Sequence, residues 1–302
     1  MTTTPPTADP AAALLKVGDA EIRSALELAL QGRPIAWLGA DPALIEANRD
    51  WLAPHFLQAG DTWSLEFRTW ILRVDDKVVV IDPCTGNGRP HPLAAFDQLD
   101  EPFIERFCAT GVRPDEVDYV FCTHMHHDHC GWNTRLRDGR WVPTFPKARY
   151  LFVRREYDRW DPNGKDYRAV AYNAGVFERS IAPIIEAGLA DLVLDRHRIS
   201  PSLAIEPAPG HTLGHAMLTL ARGDEEACFS GDGFHHPLQL IDPAIQFGDC
   251  DDRIMATASR RRLAETWLER RTLIIPAHLP WPHAGRLTRR NGRILFKGPL
   301  AE

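Results

Sequence analysis

Residues 117–131 read Val117-Asp118-Tyr119-Val120-Phe121-Cys122-Thr123-His124-Met125-His126-His127-Asp128-His129-Cys130-Gly131. An apolar run of strand length ends abruptly in four histidines and one aspartate. Imidazole and carboxylate suit Zn²⁺ and neighbouring first-row ions. His124 and His126, two apart on a chain leaving a strand, can converge from one side, while Asp128 and His129 continue the loop toward a second point. One loop therefore supplies parts of two sites, with His127 expected to point away.

Two ions need more ligands than one loop provides, so further His or Asp residues are expected at later strand ends. Three follow in order. Leu203-Ala204-Ile205-Glu206 leads into Pro207-Ala208-Pro209-Gly210-His211-Thr212-Leu213-Gly214-His215, and Ala227-Cys228-Phe229 into Ser230-Gly231-Asp232-Gly233. Leu273-Ile274-Ile275-Pro276 leads into Ala277-His278-Leu279-Pro280. Each places a ligand type beside Gly or another small residue that permits close backbone approach.

The ordered set THMHHDH, PGHTLGH, SGD and AHLP resembles the metallo-β-lactamase superfamily from about residue 65 to 300, with Asp82-Pro83-Cys84-Thr85-Gly86-Asn87-Gly88 matching the turn before the metal loop. The resemblance implies an α+β chain folded as a four-layer αββα sandwich of two mixed β-sheets, with a metal centre at one sheet edge. It assigns His124, His126 and His211 to a first metal, Asp128, His129 and His278 to a second, and Asp232 to a bridge between them. His215 becomes support rather than ligand. The implied cofactors are two divalent ions, zinc first, with manganese, cobalt or iron as alternatives. The implied chemistry is ester hydrolysis by a metal-bridging hydroxide, with Asp128 handling protons.

Departures from family patterns narrow the substrate. Many acyl-homoserine lactonases of this kind carry Tyr three residues beyond the bridging Asp, where this chain has His235, which is expected to contact the substrate carbonyl or leaving group. True β-lactamases generally lack the bridging Asp, and the flavodiiron branch usually has Glu where His126 stands. The whole pattern looks nearest the lactonase and methyl-parathion-hydrolase-like branch, which implies a neutral apolar ester, a lactone of acyl-homoserine type or a carboxylic ester. Phosphotriester hydrolysis is the alternative, and a mononuclear iron sulfur-oxidising enzyme the reading from another class. Trp132, Phe145, Phe234, His235 and Trp281 are the expected pocket residues, with Trp63 and Trp70 in possible reach.

The 302 residues are 44% apolar and 25% charged, an ordinary globular composition. With 35 basic and 41 acidic residues the formal charge is -6, which offers no general attraction for nucleic acid or anionic membrane and favours a small-molecule partner. No apolar run approaches the ~20 residues that cross a bilayer, and the start lacks a signal-peptide pattern, so a cytoplasmic location is expected. Six cysteines without a C-x-x-C pair read as reduced thiols. The expected organisation is a single domain over 1–302, with a tail at 1–13 and an N-terminal extension at 14–62, and the resemblance suggests a homodimer. Within the chain we expect an amphipathic helix near 17–31, a hairpin over 65–81 and helices near 93–110 and 251–270. Arg260-Arg261-Arg262 reads as a solvated helix face.

Overall fold

The computed structural model describes residues 14–248 and 250–298, so the expected tail at 1–13 lies outside the described residues. The chain opens with β1 (Leu15–Val17) and β2 (Ala20–Pro34), followed by α1 (Pro42–Leu52), β3 (Thr62–Val74) and β4 (Lys77–Ile81). Next come α2 (Phe103–Ala109), β5 (Tyr119–Phe121), the short helix α3 (His127–Cys130), the hairpin β6 (Thr134–Arg137) and β7 (Arg140–Pro143), and β8 (Arg149–Val153). Then follow α4 (Arg154–Trp160), α5 (Ala182–Glu186), β9 (Ala190–Val193), β10 (His197–Arg198), β11 (Leu203–Pro207), β12 (Ala216–Arg222) and β13 (Glu225–Gly231). The chain continues through α6 (Leu238–Ile241), α7 (Arg253–Arg270), β14 (Leu273–Pro276), β15 (Arg286–Arg290) and β16 (Arg293–Lys297).

Seven strands form one sheet in the order β1-β2-β3-β4-β5-β8-β9, and five form a second in the order β10-β11-β12-β13-β14. Both are mixed, because β4, β5, β8 and β9 run parallel while β1 to β4 are antiparallel, and β14 runs parallel to β13 beside antiparallel neighbours. Between the sheets lies a core in which Trp70, Leu72, Val79, Ile81 and Phe121 meet Ile205, Leu218, Phe229 and Ile275. Behind the first sheet, Val80, Val120, Tyr150 and Phe152 pack with Phe103, Phe107, Trp160 and Ile184 of the helices. Behind the second, Met217, Cys228 and Ile274 pack with Leu263, Ala264 and Trp267 of α7. The expected four layers are thus present, each large buried side chain contributing about 1.5–3 kcal/mol of hydrophobic stabilisation.

Parallel pairing fixes where the chemistry gathers. The C-terminal ends of β4 and β5 lie side by side, as do those of β13 and β14. Two antiparallel steps return β11 to the direction of β13. All five strand ends that precede the Asp82, His124, His211, Asp232 and His278 segments therefore open on one edge of the sandwich.

Three sequence expectations change. Residues 17–31 hold the end of β1, a two-residue turn and most of β2 rather than a helix. Gly18, with φ of 57°, turns β1 into β2, and β2 then pairs along β3 from Glu21↔Arg73 to Pro34↔Thr62. Ala, Glu and Leu favour a helix locally, but the ladder and burial of Ala20, Ile22 and Ser24 at every second position prevail. The first part of the supposed extension is hence integral to the larger sheet. The helix expected over 93–110 is confined to Phe103–Ala109, with Pro102 at its start. Arg260 is buried, its Nε donating to the Pro243 carbonyl, while Arg261 and Arg262 are exposed.

Candidate metal centre

The loop after β5 turns back through α3, so that His124, His126, Asp128 and His129 share one small volume. His124, His126, His211 and Asp232 form one group of potential ligand atoms within 4.8 Å of one another, and Asp128, His129 and His278 form another. A third group joins Asp232 and His278 with His235. Asp232 is the common point: its Oδ2 lies 3.3 Å from His211 Nε2, 3.4 Å from His129 Nε2 and 3.8 Å from His124 Nε2, and its Oδ1 3.0 Å from His278 Nε2.

Each ligand imidazole is fixed from outside, which leaves its other nitrogen turned inward. His124 Nδ1 meets Thr123 Oγ1 at 3.1 Å and His278 Nδ1 meets the Glu66 carbonyl at 3.2 Å, while His129 Nδ1 lies 3.0 Å from Asp82 Oδ2 as an ion-pair neighbour without a well-formed hydrogen bond. His126 Nε2 lies 3.3 Å from the Tyr172 hydroxyl, and His211 Nδ1 lies 3.8 Å from Cys250 Sγ. Inside, nitrogen faces nitrogen: His126 Nδ1 is 3.0 Å from both His124 Nε2 and His211 Nε2, and His129 Nε2 is 3.2 Å from His278 Nε2. The buried Asp232 Oδ1 has no well-formed hydrogen bond. Inward lone pairs from five imidazoles around two carboxylates make a nitrogen–oxygen donor set that a divalent cation satisfies, with an outer partner on each histidine as metal sites require.

The electrostatics agree. Burial holds His124 and His126 well below the ordinary imidazole range, in the neutral form that donates a lone pair. Burial pushes His211 the same way, but the Asp232 carboxylate beside it outweighs that and raises it to about 10. His278 is raised for the same reason, so protons and metal ions compete for these positions.

Backbone devices set the convergence. Gly231 has φ of 49°, and a Cβ there would lie 2.4 Å from Thr123 Oγ1 and 2.9 Å from His215 Nε2. Only glycine lets β13 turn Asp232 into the cluster at this approach. His215 accepts from the Asp232 backbone N–H with Nε2 and donates from Nδ1 to the Ala208 carbonyl, the supporting role expected of it.

Some functional positions were not expected. Asp82 accepts from the Thr123 backbone N–H and hydroxyl, and so holds both the start of the metal loop and His129. The available signal was an aspartate at a strand end before proline. Glu156, from α4, accepts from Met125 N–H, Thr212 hydroxyl, Gly214 N–H and Trp160 indole, so one buried carboxylate ties the first metal loop to the His211 loop. Nothing local in the sequence marks it.

Beside the cluster opens a cavity of about 500 Å³. His126, Asp128, His211, Asp232, His235 and His278 form its floor, and Leu30, Leu65, Phe67, Phe96 and Phe247 supply apolar wall. His127 also lines it rather than pointing away, tilted against His91 and edge-on to Phe96, and pushed down to about 4 by burial. His235 is the one expected pocket residue found there, its Nε2 3.0 Å from Asp232 Oδ2 and its ring stacked on His278.

The other pocket expectations are corrected. Trp132 stacks on Phe103 at 4.8 Å and donates its indole N–H to Glu27. Phe145 lies in the core behind the first sheet and Phe234 in the core around α7. Trp281 lines a separate cavity of about 560 Å³ with Trp51, Phe56 and Arg293. Trp63 and Trp70 are core residues. Proximity in sequence to a metal ligand did not imply proximity to the cavity, because the strand ends turn these side chains into the layers behind.

The family described as the metallo-beta-lactamase superfamily matches residues 68–262, more than half of the chain. Among solved structures, AidC, a dizinc quorum-quenching lactonase in complex with a product, is 17% identical with a TM-score of 0.74, covering 96% of this chain and 97% of that one. AbOPH, a hydrolase in the β-lactamase superfamily, is 19% identical with a TM-score of 0.76 over 96% and 97%. A probable metal-dependent hydrolase from Staphylococcus aureus is 16% identical with a TM-score of 0.69 over 95% and 100%. At these identities the likeness establishes the fold. Comparison with curated proteins finds no match.

Proposed function

The chain belongs to the metallo-β-lactamase superfamily, and from that we propose that it is a two-metal hydrolase of neutral, largely apolar esters, of lactone or carboxylic-ester type. The observation that carries this reading is the apolar cavity opening directly on the buried ligand cluster, where an ester group can reach the cluster while its hydrocarbon portion is buried. AidC and an N-acyl homoserine lactone hydrolase, both solved with an N-hexanoyl-L-homoserine product, support an ester of that class.

Two divalent ions, zinc first among manganese, cobalt and iron, would be held by His124, His126 and His211, by Asp128, His129 and His278, and by Asp232 between them. When bound, they supply a water of lowered pKa and polarisation of the scissile carbonyl. In the hydrolysis, a bond forms between water oxygen and the carbonyl carbon, the acyl–oxygen bond breaks, and the departing oxygen takes a proton. Asp128, on the cavity floor, is placed to carry that proton. His235 lines the cavity with Nε2 3.0 Å from Asp232 Oδ2, and its ring would contact the carbonyl or the leaving group there. Leu30, Leu65, Phe67, Phe96 and Phe247 exclude water from the ester's apolar part.

The test is turnover of acyl-homoserine lactones, aryl esters, glutathione thioesters and phosphotriesters by metal-reconstituted protein, together with elemental analysis. Lactone or carboxylic-ester hydrolysis at two metals per chain is expected. One iron and no zinc, manganese or cobalt would overturn the reading in favour of a mononuclear iron enzyme, and exclusive phosphotriester turnover would reassign the substrate.

A further inference from the structure

Arg33 stands out among the residues that line the cavity. Among the described lining residues it is the sole Lys or Arg, set beside the Leu, Ala, Phe and Trp side chains of the cavity wall. Its Nε is buried and has no hydrogen-bond partner, and among the described residues no carboxylate pairs with it. The Trp37 ring lies 5.9 Å from the guanidinium carbon. A cation half-withdrawn from water without a counter-charge is unfavourable unless something else supplies the charge.

The backbone is built to place it there. Leu30 pairs with Leu65 and Arg33 with Trp63, so three steps along β2 oppose two along β3. Paired residues project to the same side of an antiparallel ladder, and Leu30 and Arg33, an odd number apart, would otherwise face opposite sides. The bulge at Gln31-Gly32, with Gly32 at φ of 66°, brings both onto the cavity side. Bulges beside sites commonly re-aim one side chain in this way.

We propose that Arg33 recognises a carboxylate on the substrate, remote from the scissile ester, so that the preferred substrates are esters whose apolar chain ends in an anionic group. The chain would span the Leu65, Phe67 and Phe96 wall with the ester at the metal cluster and the carboxylate in the guanidinium fork. The guanidinium offers a carboxylate two parallel N–H donors, and the low-dielectric wall strengthens the pair.

This inference rests on the ester-hydrolase reading and narrows it: the scissile ester group stays neutral and its hydrocarbon part lies on the apolar wall, while the far end of the preferred substrate is anionic rather than uncharged. Its test uses metal-loaded protein and the mono-4-nitrophenyl ester of octanedioic acid, compared with 4-nitrophenyl octanoate and the chain-matched ω-carboxamide ester. The acid is expected to exceed both neutral esters in kcat/KM by about tenfold, the scale of one charge-assisted hydrogen bond. Arg33→Gln should bring the ratio near one, and Arg33→Lys should restore part of it. Equal ratios in wild type and Arg33→Gln would overturn the proposal. Calorimetric binding of the octanedioic mono-anilide, which carries the carboxylate but no ester, gives a second readout. It should bind wild type more tightly than Arg33→Gln, and indistinguishable affinities would overturn the proposal even if no ester is turned over. Failure of turnover across all esters, by contrast, removes the hydrolase reading and leaves the binding comparison to decide Arg33.

Discussion

The seven side chains that the structure gathers into candidate ligand groups stood out in the sequence because ligand chemistry is confined to a few residue types, and strand ends announce themselves by apolar runs stopping at Gly, Pro or Asp. The residues that aim those side chains did not, since Asp82, Glu156 and Tyr172 are single positions far from one another in sequence. Their roles exist only once the strand ends meet. Asp82→Ala should therefore damage the second ligand group without unfolding the chain: His129 loses its outer neighbour, and affinity for the ion proposed for the Asp128, His129 and His278 group should fall about 10- to 100-fold, read by metal titration. Unchanged affinity at both sites would show that Asp82 does not position His129. Glu156→Ala is expected to act on stability, because removing one buried carboxylate strands four donors from two loops and one helix. A loss of about 3 kcal/mol or more in denaturant unfolding is expected, at 1–3 kcal/mol for each donor left without an acceptor. A loss below 1 kcal/mol would mean that water replaces the carboxylate at little cost.

Elements were read well where periodicity and punctuation agreed, and badly where composition pulled against partnership. The β3–β4 hairpin and the closing β15–β16 hairpin had turn residues, and α7 had the spaced series Ala256, Leu263, Ala264 and Trp267, all of which are buried. β2 had Ala, Glu and Leu at helical density, and only its partner β3, which begins 28 residues after β2 ends, decides the matter. Asp75, at the turn of the β3–β4 hairpin, shows how one element is tied to the opposite sheet: it accepts from the Ser200 hydroxyl at 2.5 Å, from the Ser202 hydroxyl at 3.1 Å and from Arg222 Nη1 at 2.9 Å. The Ser200 hydrogen bond, with further help from Ser202 and Arg222, holds its carboxyl below the ordinary value of 3.8. A depressed carboxylate contributes stability that is complete above 3.8 and is lost as the pH falls through the folded value. Asp75→Asn should thus cost about 1–2 kcal/mol near neutral pH, and the gap from wild type should close on acidification below 3.8. Unfolding of metal-free protein checks this with ligand protonation common to both chains, and a gap independent of pH would show that the charge of Asp75 is immaterial.

At the scale of the molecule, the candidate metal centre lies where the two sheets meet, and its side chains come from both. His124, His126, Asp128 and His129 follow β5 of the first sheet, whereas His211, Asp232 and His278 follow β11, β13 and β14 of the second. Without a cation, inward nitrogens 3.0–3.2 Å apart and two buried carboxylates must be balanced by protons. Raised proton affinity at His211 and His278 is what such balancing predicts. Ions should therefore act as cross-links between sheets as well as reagents. A ligand that binds only the folded chain stabilises it by about 4 kcal/mol when present at a thousand times its dissociation constant. Chelation should accordingly lower Tm by several degrees for a chain of this length, and reloading should restore it with a stoichiometry of two. Asp232→Asn separates the two roles. It removes one charge from the point shared by both ligand groups, so turnover should fall at least about a hundredfold while the sheets remain packed. Its metal-dependent gain in Tm should shrink but persist, since six other ligands remain. Full activity in Asp232→Asn would remove the bridging role; a gain in Tm equal to wild type would show that the shared carboxylate adds nothing to the link between the sheets.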